Sequence, residues 1–141
     1  MAMSGLNPYL NFEGTAEKAI AHYERALGAK AEMVMRFGDV QGMDTAPEHK
    51  NLVMHATLVI EGNKIMVSDG HPGSKVIVGD SVHVALHFSG DLEDMARKFA
   101  ALAEGGEVAQ PLVDTFWGAK FGIVVDPFGI RWMFNGELPK A

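Results

Sequence analysis

The sequence predicts an α+β protein made of two tandem βαβββ modules, and three observations lead to this fold class. Apolar and polar residues alternate in several short segments, which is the two-residue period of strands that bury one face. Two longer segments instead repeat apolar residues at helical spacing, and each of them follows a strand. The order strand, helix, strand, strand, strand then occurs twice within the 141 residues, so that Leu86–Phe88 stands in the second copy where Leu10–Phe12 stands in the first. A duplicated module within one domain explains this order.

The first module is predicted over residues 5–69. It begins with a strand whose apolar face carries Leu6, Pro8, Leu10 and Phe12. Thr15 is the expected N-cap of the helix that follows, and Gly28 stands where a left-handed C-cap would end it. Three further strands are expected at residues 31–37, 51–60 and 65–68, the last two joined by a hairpin turn at residues 61–64. The expected buried face of the middle strand consists of Leu52, Met54, Ala56, Leu58 and Ile60.

A glycine-rich segment, residues 70–80, is the predicted linker to a second module at residues 81–136. The first strand of this module has an apolar face made of Val82, Val84, Leu86 and Phe88. Asp91 is expected to cap the following helix, which ends at Gly105. Further strands are expected at residues 107–112, 116–125 and 130–135.

Composition and charge exclude several classes of protein. Hydrophobic residues make up 48% of the chain and charged residues 21%, as in globular domains and unlike disordered chains. The sequence contains no cysteine, so it has neither a disulfide nor a thiolate metal site. A net charge of −6 without a basic cluster argues against nucleic acid as a partner. Apolar segments are shorter than the ~18 residues of a membrane helix, so we do not expect the protein to enter membranes. A secretory signal is not recognisable, so we expect a cytoplasmic protein.

Four segments of the sequence carry a family resemblance. They are PYLNFEG at residues 8–14, HYERALG at 22–28, DTFWGAKFG at 114–122 and VDPFGIRWMFN at 125–135. Together they resemble the PhnB-like branch of the vicinal oxygen chelate superfamily, which contains glyoxalase I, bleomycin-resistance proteins and extradiol dioxygenases. The resemblance extends over nearly the whole chain.

This resemblance implies a shape, a ligand and an assembly. Each module would curl its strands into half of an open, cup-shaped mixed sheet, with the helices outside and a small-molecule ligand in the cup. A homodimer is the common assembly of the family and is expected here. The faces of the two first strands that are opposite to the apolar ones would line the cup. These faces carry Asn7, Tyr9 and Asn11 in the first module and His83, Ala85 and His87 in the second.

The metal-dependent members of the family bind a divalent ion through residues of the first and last strands, usually histidine, glutamine and glutamate. The resemblance puts those positions near Asn7 and at His83, Met66 and Met133. Only His83 is a good ligand, because an amide oxygen binds weakly and thioethers prefer soft metals. A divalent metal at His83 would therefore lack the other usual ligands, and the sequence argues against an intact metal centre.

Polar side chains elsewhere are further candidates for the cup. His55 lies opposite the buried face of its strand and is expected to face the cup with Thr57, either as a general base or in a structural role. Arg36 and Lys120 are the basic candidates for binding an anionic group, with Arg36 favoured. Asp126 is expected to fix the turn in which it lies.

Met133 is also expected to line the cup, and Trp117 is expected near its rim. One interpretation is an aromatic wall for a planar ligand, formed by Trp117, Phe116, Tyr9 and Phe37. The alternative is that these rings pack in the core or at a dimer interface.

Three functions are consistent with the sequence. The favoured one is a protein that binds a small molecule in its cup without the family's divalent metal. The second is a divergent metal-dependent lyase, isomerase or dioxygenase, in which His83 or His87 acts as a base on a substrate that forms an enolate-like oxyanion. The third is a non-catalytic interaction protein whose cup is filled by its own loops, residues 38–50 or 69–80. The missing carboxylate favours the first function over the second.

Overall fold

A computed structural model of the chain describes residues 2–140, which form two compact units divided between Ile77 and Val78. The elements of the first unit are β1 (Tyr9–Asn11), α1 (Ala16–Leu27), β2 (Lys30–Arg36), β3 (Val53–Ile60) and β4 (Asn63–Ser68). Those of the second unit are β5 (His83–Phe88), α2 (Leu92–Ala103), β6 (Glu107–Asp114), β7 (Ala119–Val125) and β8 (Arg131–Glu137). Two short 3₁₀ turns, Phe37–Asp39 and Pro47–His49, connect β2 to β3. The α+β class with two βαβββ modules is thereby confirmed.

Each unit has its own open, mixed sheet of four strands. The strand order is β1-β4-β3-β2 in the first unit and β5-β8-β7-β6 in the second. The first and last strands of each module pair in parallel, whereas the other neighbours are antiparallel. This topology puts the first strand of a module beside its last strand, so residues far apart in the sequence lie next to each other on the sheet.

The helix α1 covers one face of the first sheet. It buries Ala19, Ile20, Tyr23 and Leu27, each at most 7% exposed. The sheet contributes alternate residues of its central strands to this core, among them Ala56, Leu58, Ile65 and Val67. Removal of these side chains from water is the main stabilising contribution to the unit.

The start of β3 differs from the predicted alternation. Val53 is completely buried, whereas Met54, which was predicted on the buried face, is only half-buried. The pairing of β3 with β2 is irregular at this point, because the register shifts between Met35 and Arg36. A register shift changes which side chains face the helix, so the alternation of the later part of the strand does not extend back to its beginning.

The N-terminus of α1 is capped by a residue distant in sequence. Thr15 occupies the N-cap position as predicted, but among the described residues its side chain makes no capping hydrogen bond. The buried carboxylate of Asp69 does this instead: Oδ1 accepts from the Ala16 N–H at 3.0 Å, and Oδ2 accepts from the Val53 N–H at 2.9 Å. At the other end of the helix, Gly28 adopts the predicted left-handed conformation.

The helix α2 covers one face of the second sheet. Met95, Phe99 and Leu102 are buried against it, and the Phe99 ring meets the Phe134 ring edge-on at 5.2 Å between centroids. Asp91 caps this helix as predicted, because its Oδ1 accepts from the Asp94 N–H at 3.1 Å. Both helices have 12 residues, and in the described part of the chain no helix is long and apolar enough to cross a membrane.

Three strands are shorter than predicted. Leu6 and Val82 were assigned to apolar faces but lie before β1 and β5, where they are 91% and 79% exposed. Pro8 lacks an N–H, so β1 starts only at Tyr9, although the Pro8 carbonyl still accepts from the Met66 N–H at 3.0 Å. Phe116 likewise precedes β7, because Thr115 pairs with Ala119 across a tight turn.

Candidate functional site

Each sheet has a second face opposite to its helix, which we call the distal face. On the first distal face, residues of neighbouring strands are in register: Tyr9, Met66, Thr57 and Met33. On the second distal face, three rows cross β5, β8 and β7: His83, Arg131 and Val125; then Ala85, Met133 and Ile123; then His87, Asn135 and Phe121. The buried residues that alternate with them face the helices.

The first distal face carries a hydrogen-bonded chain of three side chains. The Tyr9 hydroxyl lies 2.8 Å from Nδ1 of His55, and Nε2 of His55 lies 3.2 Å from the Thr57 hydroxyl. A neutral imidazole has one N–H and one acceptor nitrogen, so one hydroxyl donates to the ring and the other accepts from it. Both ring nitrogens therefore have partners, and the orientation of the ring is fixed. Such a chain can pass a proton between its hydroxyls through the imidazole.

The two asparagines predicted to face the cup lie on either side of Tyr9. Asn7 precedes β1, and its Nδ2 donates to the Lys64 carbonyl at 3.1 Å, which ties this segment to β4. Asn11 is exposed and stands opposite Ser68 in the parallel pair. Asn7 thus has a structural contact, whereas the Asn11 side chain is accessible to a ligand.

The second distal face is basic at one end and aromatic at the other. His83 and Arg131 are direct neighbours in the parallel pair at one end. The middle row is apolar, with Met133 between Ala85 and Ile123. At the far end, the exposed His87 neighbours Asn135, which in turn neighbours Phe121. This arrangement combines apolar contact area with polar groups at both ends, as ligand-binding surfaces commonly do.

Arg131 is a candidate that the sequence analysis missed. It is half-buried at the start of β8, and its Nε is buried without a hydrogen-bond partner among the described residues. The predicted anion-binding residues, in contrast, have protein partners. Arg36 donates to Glu17 and to the Asn51 carbonyl, both at 2.7 Å, and Lys120 pairs with Asp114 at 3.0 Å. The sequence does contain a sign of this position. Arg131 stands two residues before Met133, and residues two apart in a strand share a face.

Trp117 continues the aromatic end of this face. It is 56% exposed in the turn before β7, and its ring meets those of Phe121 at 6.1 Å and Phe116 at 5.1 Å. Phe37 does not belong to an aromatic wall, because it is buried in the core of the first unit at 4% exposure. Tyr9 contacts His55 in that same unit, with ring centroids 5.5 Å apart.

The residues at the family's metal positions do not fit a hard divalent ion. Met66 lies between Tyr9 and Thr57, and Met133 lies between Ala85 and Ile123. Thioethers and hydroxyls without a carboxylate bind Mg²⁺, Mn²⁺ or Fe²⁺ poorly. In addition, the guanidinium of Arg131 beside His83 repels a cation. Over residues 2–140, no group of three histidine or carboxylate side chains is close enough together to hold a metal ion.

The Asp94 carboxylate, whose pKa is lowered, belongs to α2 and lies away from the distal faces. Lys98 donates to Asp94 at 2.6 Å one turn away, and Arg97 donates to the same carboxylate at 3.2 Å. The hydrogen bond from Lys98 is the main reason why the pKa of Asp94 lies below its ordinary value. These side chains stabilise the first turn of the helix and do not contribute to a binding site.

A hollow of about 540 Å³ lies in the second unit beside the N-terminus of α2. It is lined by residues 89–93 and 137–140, including the acidic Asp91, Glu93 and Glu137. Asp91 is already engaged as the helix cap. The residues that line the hollow include no histidine and no aromatic ring. The distal faces, which carry both, are the stronger candidates.

Comparisons with known proteins identify relatives over the full length of both modules. The model of the Glyoxalase/Bleomycin resistance protein/Dioxygenase superfamily matches residues 5–134. Protein YjdN of Escherichia coli K12 is 34% identical over 139 residues, which cover 92% of this chain and 93% of YjdN. The crystal structure of protein PA1353 from Pseudomonas aeruginosa matches with a TM-score of 0.84 and 36% identity, covering 97% of this chain and 100% of that one. The PhnB protein from Bacillus cereus shares the fold, with a TM-score of 0.76 at 23% identity, covering 94% and 99% of the two chains.

Proposed function

Because the chain belongs to the glyoxalase/bleomycin resistance protein/dioxygenase superfamily, we propose that it binds a small organic molecule without the divalent metal of its metal-dependent relatives. The observation that supports this function is the donor set at the family's metal positions. Met66 and Met133 have apolar neighbours or hydroxyls beside them, and His83 stands next to a cationic side chain. Such surfaces favour apolar and aromatic ligands over metal ions.

The second distal face is the better candidate for the binding surface. It offers a continuous series of half-buried apolar side chains, Met133, Ile123 and Phe121, which leads to the exposed Trp117. Polar groups at both ends of this series, Arg131 and His87, can orient a ligand. A few polar groups around an apolar surface are what gives small-molecule sites their specificity.

The metal part of this proposal has a direct test. Untagged protein is freed of metal with a chelator and then titrated calorimetrically with Mn²⁺, Ni²⁺ and Zn²⁺, alongside His83→Ala. We expect no saturable binding of any of the three ions at micromolar concentration, and the same melting temperature before and after chelation. Stoichiometric binding that disappears in His83→Ala would contradict the proposal and favour a metal-dependent enzyme.

The ligand part is tested through tryptophan fluorescence. The chain has two tryptophans, of which Trp132 is completely buried and Trp117 is 56% exposed. A panel of aromatic and aliphatic compounds that binds to the second distal face should change the emission of Trp117. Trp117→Phe should remove this signal, while calorimetry still detects binding. If none of the compounds binds, the self-filled interaction protein becomes the better hypothesis.

An enzyme without a metal is the second candidate, and the first distal face favours it. His55 is held between the Tyr9 and Thr57 hydroxyls at 2.8 and 3.2 Å, so its ring is positioned for proton transfer. If this face is catalytic, Tyr9→Phe should reduce turnover of a bound compound much more than it reduces the affinity for it. Equal turnover in both proteins would exclude this role for the chain of hydrogen bonds.

A further inference from the structure

The guanidinium of Arg131 has a donor that the described residues do not satisfy. Its Nε is buried and lacks a hydrogen-bond partner within residues 2–140. Buried donors are almost always paired in folded proteins, because an unpaired N–H loses its hydrogen bond to water without a replacement. A bound molecule can supply the acceptor that residues 2–140 do not provide.

Arg131 has no carboxylate partner among the described residues, although the protein is acidic. The chain has 18 acidic residues against 12 Lys and Arg, so carboxylates are available in excess. Within residues 2–140, five of the twelve basic side chains form ion pairs with them: Arg36 with Glu17, Lys64 with Glu32, Lys120 with Asp114, and Arg97 and Lys98 with Asp94. In the described part of the chain, Arg131 forms no such ion pair.

The surroundings of Arg131 on the second distal face select for an anion. His83 is its direct neighbour on β5, and Val125 is its neighbour on β7. The carboxylate in the same row, Glu107, stands beyond Val125 on β6 and is thus two strands away, roughly 10 Å at the usual strand spacing. A guanidinium presents parallel N–H groups that match the two oxygens of a carboxylate or a phosphate.

The apolar rows next to Arg131 limit the polarity and the length of the rest of the ligand. Met133 and Ile123 form the next row, and Phe121 belongs to the row after it. Rows on one face are two residues apart, which corresponds to about 7 Å. A molecule that contacts all three rows is therefore about 10 to 14 Å long, the size of an aromatic acid or a short fatty acid.

We propose that Arg131 binds the anionic group of a small organic acid whose apolar part lies on Met133, Ile123 and Phe121. This inference rests on the proposed function, because it names the class of molecule that the second distal face binds. A carboxylate and a phosphate monoester present the same acceptor oxygens to a guanidinium, so the experiment includes both.

The test compares charged ligands with neutral ligands of the same shape. Calorimetry measures the affinities of 2-naphthoate, 2-naphthyl phosphate and decanoate, and those of 2-naphthamide and decanamide as neutral counterparts. Inorganic phosphate is the probe for an anion without an apolar part. The proteins are the wild type, Arg131→Gln, Arg131→Lys and, as a matched control, Arg97→Gln, which removes an exposed arginine of α2.

We expect the organic anions to bind to the wild type at least about tenfold more tightly than their amides, as a charged hydrogen bond allows. Arg131→Gln should lose this preference, Arg131→Lys should retain part of it, and Arg97→Gln should leave it unchanged. Circular dichroism checks that the variants are folded. If Arg131→Gln does not fold, the comparison of Arg131→Lys with the wild type tests the inference.

Each other outcome overturns a different statement. If acids and amides bind equally and Arg131→Gln has no effect, the anion inference is wrong, while the proposed function stands. If only inorganic phosphate binds through Arg131, the apolar part of the inference is wrong. If none of the compounds binds, the inference falls, and the broader ligand panel decides whether the proposed function falls with it.

Discussion

Two buried carboxylates show how single residues hold distant segments of this chain together. Asp69 follows β4 and binds the start of α1 and the start of β3 through two backbone N–H groups. Asp126 follows β7 at 2% exposure and accepts from the N–H groups of the turn and from Trp132 Nε1 at 2.9 Å. A carboxylate can accept several hydrogen bonds at once, which explains why an acid is tolerated in each core.

Asp126→Asn should destabilise the protein. The amide keeps only one acceptor oxygen, so either the turn N–H groups of Phe128 and Ile130 or the indole N–H of Trp132 would face an NH₂ group. We expect a loss of about 2 kcal/mol in the free energy of unfolding, the usual cost of an unsatisfied buried polar group. Urea denaturation followed by circular dichroism measures it.

The control for this prediction is Asp114→Asn, which removes an exposed partner of Lys120. Surface ion pairs contribute little, so this variant should change the free energy of unfolding by less than about 0.5 kcal/mol. Equal effects of the two substitutions would show that Asp126 does not have the role described for it.

At the scale of elements, glycines mark where a helix, a turn and a strand come closest. Gly106 ends the connection from α2 to β6, and a Cβ there would lie 2.1 Å from the Val125 carbonyl oxygen and 2.7 Å from the Asp126 carbonyl carbon. In the core of the same unit, a Cβ on Gly136 would lie 2.7 Å from Met95 Sδ and Leu92 Cδ2. The Gly106 contact is the stricter one, because backbone atoms cannot rotate out of the way as side-chain ends can.

Gly106→Ala should therefore be strongly destabilising. The added methyl group forces the β6 end away from the backbone after β7, and overpacking of this kind costs about 3 kcal/mol. A fall in the urea midpoint with an unchanged m-value would show this. Gly90→Ala is the control, since a Cβ at that position meets nothing within 4 Å and Gly90 does not have a positive φ; a comparable loss there would contradict the steric explanation.

At the scale of the whole molecule, several large apolar side chains are exposed although each unit has a complete core. Phe116 is 97% exposed, Ile77 is 96% exposed and Leu6 is 91% exposed. Exposed aromatic and aliphatic residues are common at interfaces between subunits. They support the homodimer expected from the family resemblance, which stays a proposal about the assembly.

Sedimentation equilibrium tests this assembly. We expect a mass twice that of the 15.2 kDa chain, and Phe116→Ser should shift the equilibrium towards single chains with little effect on folding, because this side chain makes few contacts within its own chain. Val108→Ser, at a 46% exposed position of β6, is a control for the loss of an apolar surface group. A mass of one chain at all concentrations would exclude the dimer.

The sequence by itself determined the fold class, the order of the elements and most of their limits. Local signals account for this, because the two-residue and helical periods, the cap at Asp91, the left-handed Gly28 and the turn at Asp126 all depend on residues close together in the chain. The same signals put Tyr9 and His83 on strand faces that are opposite to the buried ones. The family resemblance adds Met66 and Met133, which stand at positions where metal-dependent relatives have ligands.

Only the tertiary structure decided which polar groups have partners. Arg36 donates to Glu17 of α1, and Asp69 accepts from the N-terminus of the same helix. The partners are far apart in the chain, so sequence periodicity does not reveal these contacts. The start of β3 depends on an irregular pairing with β2, which alternation within one strand cannot reveal. Arg131 stands beside His83 only because β5 and β8 pair in parallel with one particular register. Hydrogen-bond partners and strand register depend on long-range contacts, whereas periodicity and helix capping by neighbouring residues are properties of the local chain.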